Sequence, residues 1–249
     1  MIIYFSATGN SRYVVNQLAA DEERIIFIPD AIDQEIYEYT VEPDENVGII
    51  SPTYNWTIPS IVEEFLEKLK LNYSTKPYTY YVGTFGTTTG AAAAMANHYM
   101  TSKGCPLDAM FDVRMPDTWT PTFDLSNKER VKEINHQADI QIRQLQKAVS
   151  DKITGKHMHI TMPYAVGVIG KHIYDSKTRC TSNLSVEDTC IGCGLCAKKC
   201  PVHAIAMQEK HPVWVKEKCT MCLGCLHRCP KFAIQCGKKT KLHGQYQHP

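Results

Sequence analysis

Apolar residues in the first 150 positions fall into short runs, separated by segments in which they recur every three or four residues. Short continuous apolar runs predict parallel strands that are buried on both faces. One further segment alternates apolar and polar residues, as a half-exposed edge strand does. The predicted strands are residues 2–5, 24–28, 47–50, 78–83 and 107–113, the last being the edge strand.

The segments between these strands have helical periodicity. One follows Pro59, which suits a first helical turn, and the last begins at a capping box formed by Ser126 and Glu129. The predicted helices are residues 14–19, 61–69, 91–100 and 126–149. Five strands interleaved with helices predict an α/β fold with a doubly wound parallel sheet.

The turn between the first strand and the first helix is rich in hydroxyl groups. Its residues are Ser6, Ala7, Thr8, Gly9, Asn10 and Ser11. Backbone N–H groups, hydroxyls and the positive end of the helix dipole predict a phosphate site. The turn has neither the GxGxxG nor the Walker pattern, which disfavours a dinucleotide and nucleotide hydrolysis. A plain helix N-cap is the alternative interpretation.

Two later loops leave the carboxyl ends of the third and fourth strands, the edge at which open α/β sheets bind ligands. The candidate contacts are Thr53, Tyr54, Asn55 and Trp56 in one loop and Thr84, Phe85, Gly86 and Gly90 in the other. Aromatic side chains facing a small, hydroxyl-rich loop predict a slot for a flat ring. The alternative is that Tyr54 and Trp56 belong to the hydrophobic core.

The composition is that of a globular protein, with 249 residues, 43% hydrophobic and 21% charged residues and a net charge of +1. Residues 1–150 carry 12 Lys and Arg against 20 Asp and Glu, whereas residues 151–249 carry 15 against 6. The small net charge argues against nucleic-acid binding. No apolar run approaches a membrane span, and Met1 precedes no basic region with a cleavage site. We therefore expect a cytoplasmic protein without a membrane span.

Eight of the eleven cysteines form two boxes in the basic half. Residues 190–201 and 219–230 each read C-x2-C-x2-C-x3-C-P, the run that ligates [4Fe-4S] clusters and whose fourth cysteine serves the other cluster of a pair. This spacing assigns Cys190, Cys193, Cys196 and Cys229 to one cluster and Cys219, Cys222, Cys225 and Cys200 to a second. Structural zinc, the alternative, prefers two separated ligand pairs.

The boxes belong to an internal repeat with an offset of 29 residues, in which Ile205 matches Ile234. Two copies that exchange ligands predict a small pseudo-twofold unit with these isoleucines in its core. Such a unit buries little apolar area, so the clusters should supply much of its folding free energy.

The three loops stand in the order found in flavodoxins, and residues 1–153 resemble that family. The resemblance implies that residues 6–11 bind the phosphate of FMN, that Tyr54 and Trp56 stack on its ring, and that five strands adopt the order 2-1-3-4-5. Flavodoxins usually place a glycine beside flavin N5, but residues 54–57 contain none. Asn55 is the residue there that best tolerates a positive φ.

Residues 186–236 resemble a bacterial two-cluster ferredoxin, and the whole chain resembles the flavodoxin-ferredoxin fusion proteins of anaerobic bacteria and archaea. The resemblance implies an FMN-binding domain over residues 1–153, a linker over 154–185 and a tail over 238–249. Between linker and tail it implies a small α+β domain with two [4Fe-4S] clusters over residues 186–237. The tail is basic, then polar, and is expected to fray.

Together these features predict a flavo-iron–sulfur protein that carries electrons between one-electron and two-electron partners. This function needs no catalytic residue, and its partners are expected to be redox proteins rather than nucleic acid. Two alternatives stay open. One is an FMN-dependent reductase of a quinone, flavin or other small organic acceptor, fed by the clusters. The other is a docking module with an FMN-free flavodoxin fold.

Overall fold

The structure of the protein is a computed structural model that describes residues 1–248. The strands are β1 (Ile2–Tyr4), β2 (Ile25–Phe27), β3 (Glu38–Thr40), β4 (Val47–Pro52), β5 (Lys70–Asn72), β6 (Thr79–Phe85), β7 (Ala109–Arg114), β8 (Gly155–His157), β9 (Leu184–Val186), β10 (Ile205–Gln208), β11 (His211–Trp214) and β12 (Ile234–Cys236). The helices are α1 (Asn10–Leu18), α2 (Ile28–Asp33), α3 (Ser60–Lys68), α4 (Ala92–Ser102), α5 (Lys128–Ser150), α6 (Tyr164–Ile173), α7 (Leu195–Lys198), α8 (Gly224–Arg228) and α9 (Thr240–His243).

The central sheet is parallel and has the order β2-β1-β4-β6-β7-β8. The predicted doubly wound sheet and the order of its first five strands are confirmed. The predicted strand count is wrong, because β8 adds a sixth strand by pairing Gly155 with Ala109 at the edge. All three residues of β8 are exposed. A short polar strand of this kind has no apolar pattern by which the sequence could reveal it.

Both faces of this sheet are covered, which explains why its strands are continuous apolar runs rather than alternating ones. One core packs against α3 and α4, and the other against α1 and α5. The first core includes Ile3, Phe5, Ile49 and Tyr81, and the second includes Ile2, Ile50, Tyr80 and Val82. Adjacent residues of one strand therefore serve opposite faces.

The start of α5 differs from the predicted capping box. The Asn127 side chain accepts a hydrogen bond from the Arg130 N–H at 2.9 Å, whereas the Ser126 N–H binds Asp124. Asn127 is therefore the N-cap, and α5 begins one residue later than a Ser126 cap would place it.

The segment 154–185 is structured. It contains β8, α6 and a single π-helical turn over Tyr174–Thr178. Helix α6 packs closely against the preceding domain through two glycines: a Cβ at Gly167 would lie 2.7 Å from Met95 Sδ, and one at Gly170 would lie 2.4 Å from the Asn55 carbonyl oxygen. The segment thus braces one of the predicted ring-binding loops.

The cysteine-rich unit consists of two antiparallel ribbons, β10-β11 and β9-β12, with α7 and α8. Ile205 and Ile234 are buried, as the repeat predicts. Val186 pairs with Ile234, so the two ends of the unit meet in one ribbon. This is the small α+β domain that the resemblance implies.

The carboxyl-terminal tail packs back onto the first domain, which contradicts the expectation that it frays. Tyr246 is 7% exposed, and its hydroxyl donates to Asn135 Oδ1 at 3.0 Å. The His248 N–H donates to the Thr8 carbonyl at 2.8 Å. These contacts hold the tail against the first domain although its composition is polar. Pro249 lies outside the described residues.

Candidate functional site

A cavity of about 340 Å³ lies at the carboxyl ends of β1, β4 and β6. Its size suits a small-molecule ligand. Twelve of the predicted contacts line it: Ser6, Ala7, Thr8, Asn10, Ser11, Thr53, Tyr54, Asn55, Trp56, Thr84, Phe85 and Gly86. The chain therefore brings the three predicted loops together around one cavity, which we call the flavin pocket. That these residues bind a flavin stays a prediction.

Gly9 and Gly90 do not line the flavin pocket but shape its loops. Gly9 has a φ of 100° at the turn into α1. Gly90 has a φ of 52°, and a Cβ there would lie 2.5 Å from the Trp56 Cα. Only glycine allows both the left-handed backbone and this close approach.

The first loop holds polar atoms that have no partner among residues 1–248. Buried and without a hydrogen bond are Ser6 Oγ and Asn10 Oδ1, together with Thr53 Oγ1 from the neighbouring loop. Ser11 Oγ, by contrast, is bonded to Thr84 Oγ1 at 2.8 Å and braces the first loop against β6. Leaving a buried hydroxyl without a hydrogen bond costs free energy. The hydroxyls of Ser6 and Thr53 therefore fit an anionic ligand to which they can donate hydrogen bonds.

Replacing Ser6 by alanine is expected to weaken FMN binding about fivefold to tenfold, because one hydroxyl donor to the phosphate is lost. Riboflavin has no phosphate, so its affinity should stay unchanged. Fluorescence titration of the flavin-free protein with both ligands measures the difference. An equal loss for both would show that the phosphate does not lie at Ser6.

The aromatic loop is a tight turn closed by two hydrogen bonds of 2.9 Å, from the Tyr54 N–H to the Thr57 carbonyl and in return. Asn55 and Trp56 occupy its centre with φ values of 47° and 65°, the left-handed pair of a type I′ turn. The positive φ of Asn55 fits the sequence argument. That of Trp56 was not predicted, since bulky residues rarely adopt it.

Neighbouring segments hold this turn in place. The Ala91 N–H donates to the Trp56 carbonyl at 2.8 Å, and Asn55 Nδ2 donates to Thr178 Oγ1 at 3.1 Å. The Trp56 side chain lines the pocket but is 45% exposed, which favours an interaction surface over the core alternative. Strained backbone at a binding loop persists because such surroundings fix it.

A fourth loop, after β7, also lines the flavin pocket and was missed in the sequence analysis. It contributes Pro116, Asp117, Thr118, Trp119 and Phe123. The Asp117 carboxylate accepts hydrogen bonds from Thr87 Oγ1 at 2.9 Å and from the Trp119 N–H at 3.1 Å, and burial raises its pKa. The rule that identified the other loops applies here too, because β7 ends at the same edge of the sheet.

The eight box cysteines surround two further small cavities. The proximal cavity is lined by Cys200, Cys219, Cys222 and Cys225, and the distal cavity by Cys190, Cys193, Cys196 and Cys229. In each cavity the fourth thiol comes from the other box, which is the grouping that the spacing predicts. Ligation itself stays a prediction.

Backbone N–H groups point at several of these sulfurs. Met221 N–H lies 3.1 Å from Cys219 Sγ, and Ala204 and Ala233 N–H lie 3.3 Å from the sulfurs of Cys200 and Cys229. Burial raises the pKa of Cys219 to about 11 and that of Cys222 to about 12. A positively charged metal centre is what would keep such buried thiols deprotonated, so the donor set fits iron.

The proximal cavity and the flavin pocket share a wall. Met221, Cys222 and Leu223 line both. Tyr54, on the flavin side, has its pKa raised by burial and further by the nearby Cys222 thiol. The Tyr174 hydroxyl donates to the Thr220 carbonyl and joins the same wall to the π-helical turn.

The distal cavity lies near the protein surface. Its Cys193 is exposed, and the adjacent Ile191 is 58% exposed. The distal cavity thus has the one exposed thiol among the eight, Cys193, whereas the proximal cavity adjoins the flavin pocket at Cys222.

His227 joins the two domains at this wall and was not singled out in the sequence. Its Nε2–H donates to the Thr118 carbonyl at 2.9 Å, and its Nδ1 accepts from the Tyr246 N–H at 3.2 Å. Burial lowers its pKa to about 4, so the ring is neutral, as this pair of bonds requires.

The sequence matches the family described as "Flavodoxin domain" over residues 1–142 and the one described as "4Fe-4S dicluster domain" over residues 183–230. Because the first match covers more than half of the chain, the protein belongs to the flavodoxin domain family. With its second match the chain combines a flavodoxin domain with a 4Fe-4S dicluster domain, which is the arrangement of a flavodoxin–ferredoxin fusion. No curated protein is similar enough in sequence to count as a match.

Solved structures give weaker similarities. Rubredoxin oxygen:oxidoreductase from the anaerobe Desulfovibrio gigas is 19% identical over 59% of this chain and 36% of its own, with a TM-score of 0.35. A short-chain flavodoxin associated with a non-canonical PDU bacterial microcompartment is 13% identical over 57% of this chain and 95% of its own, at 0.34. A flavone reductase is 8% identical over 86% of this chain and 80% of its own, with a TM-score of 0.37. The chain thus spans about a third of the length of the first of these proteins.

Within residues 1–248, no helix is both long and apolar enough to cross a membrane. In the same part of the chain, no three His, Cys, Asp or Glu side chains are arranged to hold a single metal ion, whereas a [4Fe-4S] cluster takes its four thiols on separate iron atoms.

Proposed function

We propose that this protein passes electrons within one chain between two [4Fe-4S] clusters and FMN, and so connects one-electron with two-electron redox partners. The observation that carries the proposal is the shared wall, in which Cys222 lines both the proximal cavity and the flavin pocket. Clusters supply one-electron chemistry and the flavin one- or two-electron chemistry when they are bound.

The chain's own residues would define the route. Exposed Cys193 and Ile191 mark the distal cavity as the place where an external donor reaches the protein. The two boxes exchange their fourth cysteines, so each box contributes ligands to both clusters. Met221, Cys222 and Leu223 then exclude water between the proximal cavity and the flavin pocket, because Met221 and Leu223 are buried.

FMN suits the flavin pocket in two respects. The unpaired hydroxyls of Ser6 and Thr53 would bind its phosphate at the start of α1, where the helix dipole favours an anion. The half-exposed Trp56 indole and the Tyr54 ring offer faces for the ring system. Unpaired hydroxyls in a buried loop argue against the docking module with an FMN-free fold, because such a module would bear their cost without compensation.

The carrier and the reductase make different demands on the flavin pocket. A reductase of a small acceptor would also need space over the exposed face of the ring, and the half-exposed Trp56 lies at such an opening. The shared wall, in contrast, is needed for transfer between the cofactors in both cases. Saturable turnover of a small acceptor would therefore identify the reductase as an added activity.

Anaerobic purification followed by iron, sulfide and flavin analysis tests the cofactor content. We expect about eight iron atoms, eight sulfides and one FMN per chain, from eight box cysteines and one flavin pocket. Zinc in place of iron, or a colourless protein that takes up no flavin, would contradict the proposal.

A further inference from the structure

A separate cavity of about 350 Å³, here called the junction cleft, lies between the two domains. It meets the flavin pocket at Ser6 and Ala7, which line both. The side chains that characterise the junction cleft are Tyr4, Arg12, Phe27, Lys198, Lys199 and Arg228. Apart from the phosphate-loop residues Ser6, Ala7 and Gly9 and the proximal thiol Cys200, its lining has no part in the function proposed above.

The junction cleft has an excess of positive charge. The side chains of Arg12, Lys198, Lys199 and Arg228 form no hydrogen bond or salt bridge with any residue in 1–248. Two carboxylates, Asp30 and Asp33, also line the cleft. Asp33 is hydrogen-bonded to His203 Nε2 at 2.8 Å, so Asp30 is the carboxylate that can still offset the positive charge. These four cations, of which Arg228 also acts electrostatically on the Cys222 thiol, create a positive potential around one concavity that attracts a polyanion.

The Gly224 backbone lies close to one of these cations. A Cβ at Gly224 would lie 2.7 Å from Arg228 Nη1 and 3.5 Å from the Ala7 carbonyl oxygen. The Arg228 guanidinium is thus held near the phosphate loop of the other domain. Guanidinium groups suit phosphate because their planar donors bind two oxygens at once.

The flavodoxin-like side of the cleft adds an aromatic surface. The Tyr4 and Phe27 rings lie 5.1 Å apart at 39° and are both half-buried. Burial raises the pKa of Tyr4, while Arg12 and Asp30 are close enough to act on it in opposite directions. A flat base can stack on such rings, and a carboxylate such as Asp30 can accept hydrogen bonds from ribose hydroxyls.

We propose that the junction cleft binds a purine nucleoside diphosphate group. Its base would lie on Tyr4 and Phe27, and its phosphates between Arg12 of one domain and Lys198, Lys199 and Arg228 of the other. The group could come from a free nucleotide or from the adenylate half of FAD, since the cleft continues from the flavin pocket at Ser6. The phosphate loop lacks a dinucleotide fingerprint, so here side chains rather than glycine-rich backbone would bind the second phosphate.

Calorimetric titration of the holoprotein with ADP and with pyrophosphate tests this proposal. Arg12→Gln and Lys198→Gln, one from each domain, should each weaken both ligands about tenfold, because a charge-assisted contact is lost. Phe27→Leu should weaken ADP about fivefold or more and leave pyrophosphate unchanged, because only the base contact is lost. Arg143→Gln and Lys238→Gln remove matched exposed charges outside the cleft and should change neither affinity.

The two sources are separated by identifying the flavin and comparing affinities. Binding of ADP to the FMN-loaded protein supports a free nucleotide. Tighter binding of FAD than of FMN, with the difference lost in Arg12→Gln, supports the adenylate half of FAD. The proposal is overturned if ADP does not bind and FAD is not preferred over FMN. It is also overturned if the control variants weaken binding as much as the cleft variants do. A third contrary result is that the cleft variants weaken only the binding of an acidic redox protein, titrated in the same way, and not that of ADP or FAD. A preference for FAD would replace FMN as the flavin of the proposed function, whereas the rate of transfer between clusters and flavin tests its electron route separately.

Discussion

Replacing Cys200 by alanine is expected to destroy the cluster held by the second cysteine box, although Cys200 belongs to the first. The proximal cavity contains Cys200 with Cys219, Cys222 and Cys225, so removing it leaves three ligands there. The variant should lose about half of its iron and sulfide and keep the other half in a [4Fe-4S] spectrum. Metal analysis and low-temperature electron paramagnetic resonance measure both quantities.

A second substitution identifies the cluster that remains. Adding Cys193→Ser to the Cys200→Ala variant should alter the remaining signal, because Cys193 lines the distal cavity. Cys180→Ala is the matched control, since this thiol lies outside both cavities and should leave the metal content unchanged. The crossed assignment would be contradicted if Cys200→Ala removed the distal cluster, whose signal Cys193→Ser alters, and left the proximal cluster intact.

Replacing Cys222 by alanine should almost abolish reduction of the flavin by a one-electron donor. With the proximal cluster gone, the flavin must be reduced by collision between molecules instead of by a tethered neighbour. At micromolar protein the observed rate should therefore fall about a hundredfold or more, because a tether gives millimolar effective concentrations. Anaerobic stopped-flow absorbance at flavin and cluster wavelengths measures this rate.

Cys225→Ala controls for a direct effect on the flavin pocket. Cys225 lines the proximal cavity but not the flavin pocket, whereas Cys222 lines both. Both variants should slow flavin reduction equally, and the FMN content of Cys225→Ala should stay unchanged. Flavin reduction at the original rate in Cys225→Ala would show that electrons bypass the proximal cavity.

The parts of this molecule that the sequence predicts well are those in which chemistry fixes the spacing. Cubane ligation requires a fixed run of cysteines, so the grouping of Cys200 with the second box follows from the spacing alone. Strands buried on both faces must be apolar, so the strands around Ile49 and Val82 are evident from their composition. The hydroxyl-rich turn before α1 likewise lines the flavin pocket, as its position at the sheet edge predicts, while phosphate binding there stays a prediction.

Features that depend on contacts distant in sequence could not be predicted in this way. The polar strand β8 exists because β7 offers a free edge, not because its own residues favour a strand. Trp56 adopts a positive φ because Ala91 and Gly170 hold its turn from outside. The tail is ordered by His227 and Asn135, which lie in different domains. None of these partners is visible in the local pattern.

The central claim is that clusters and flavin exchange electrons within one chain. Its most direct test is to reduce the clusters rapidly with an external one-electron donor and to follow the flavin by anaerobic stopped-flow over an about tenfold dilution of the protein. The account predicts a flavin rate that is independent of protein concentration, because the shared wall at Cys222 fixes the two sites beside each other. A flavin rate that falls in proportion to protein concentration would show that transfer occurs between molecules and would contradict the account.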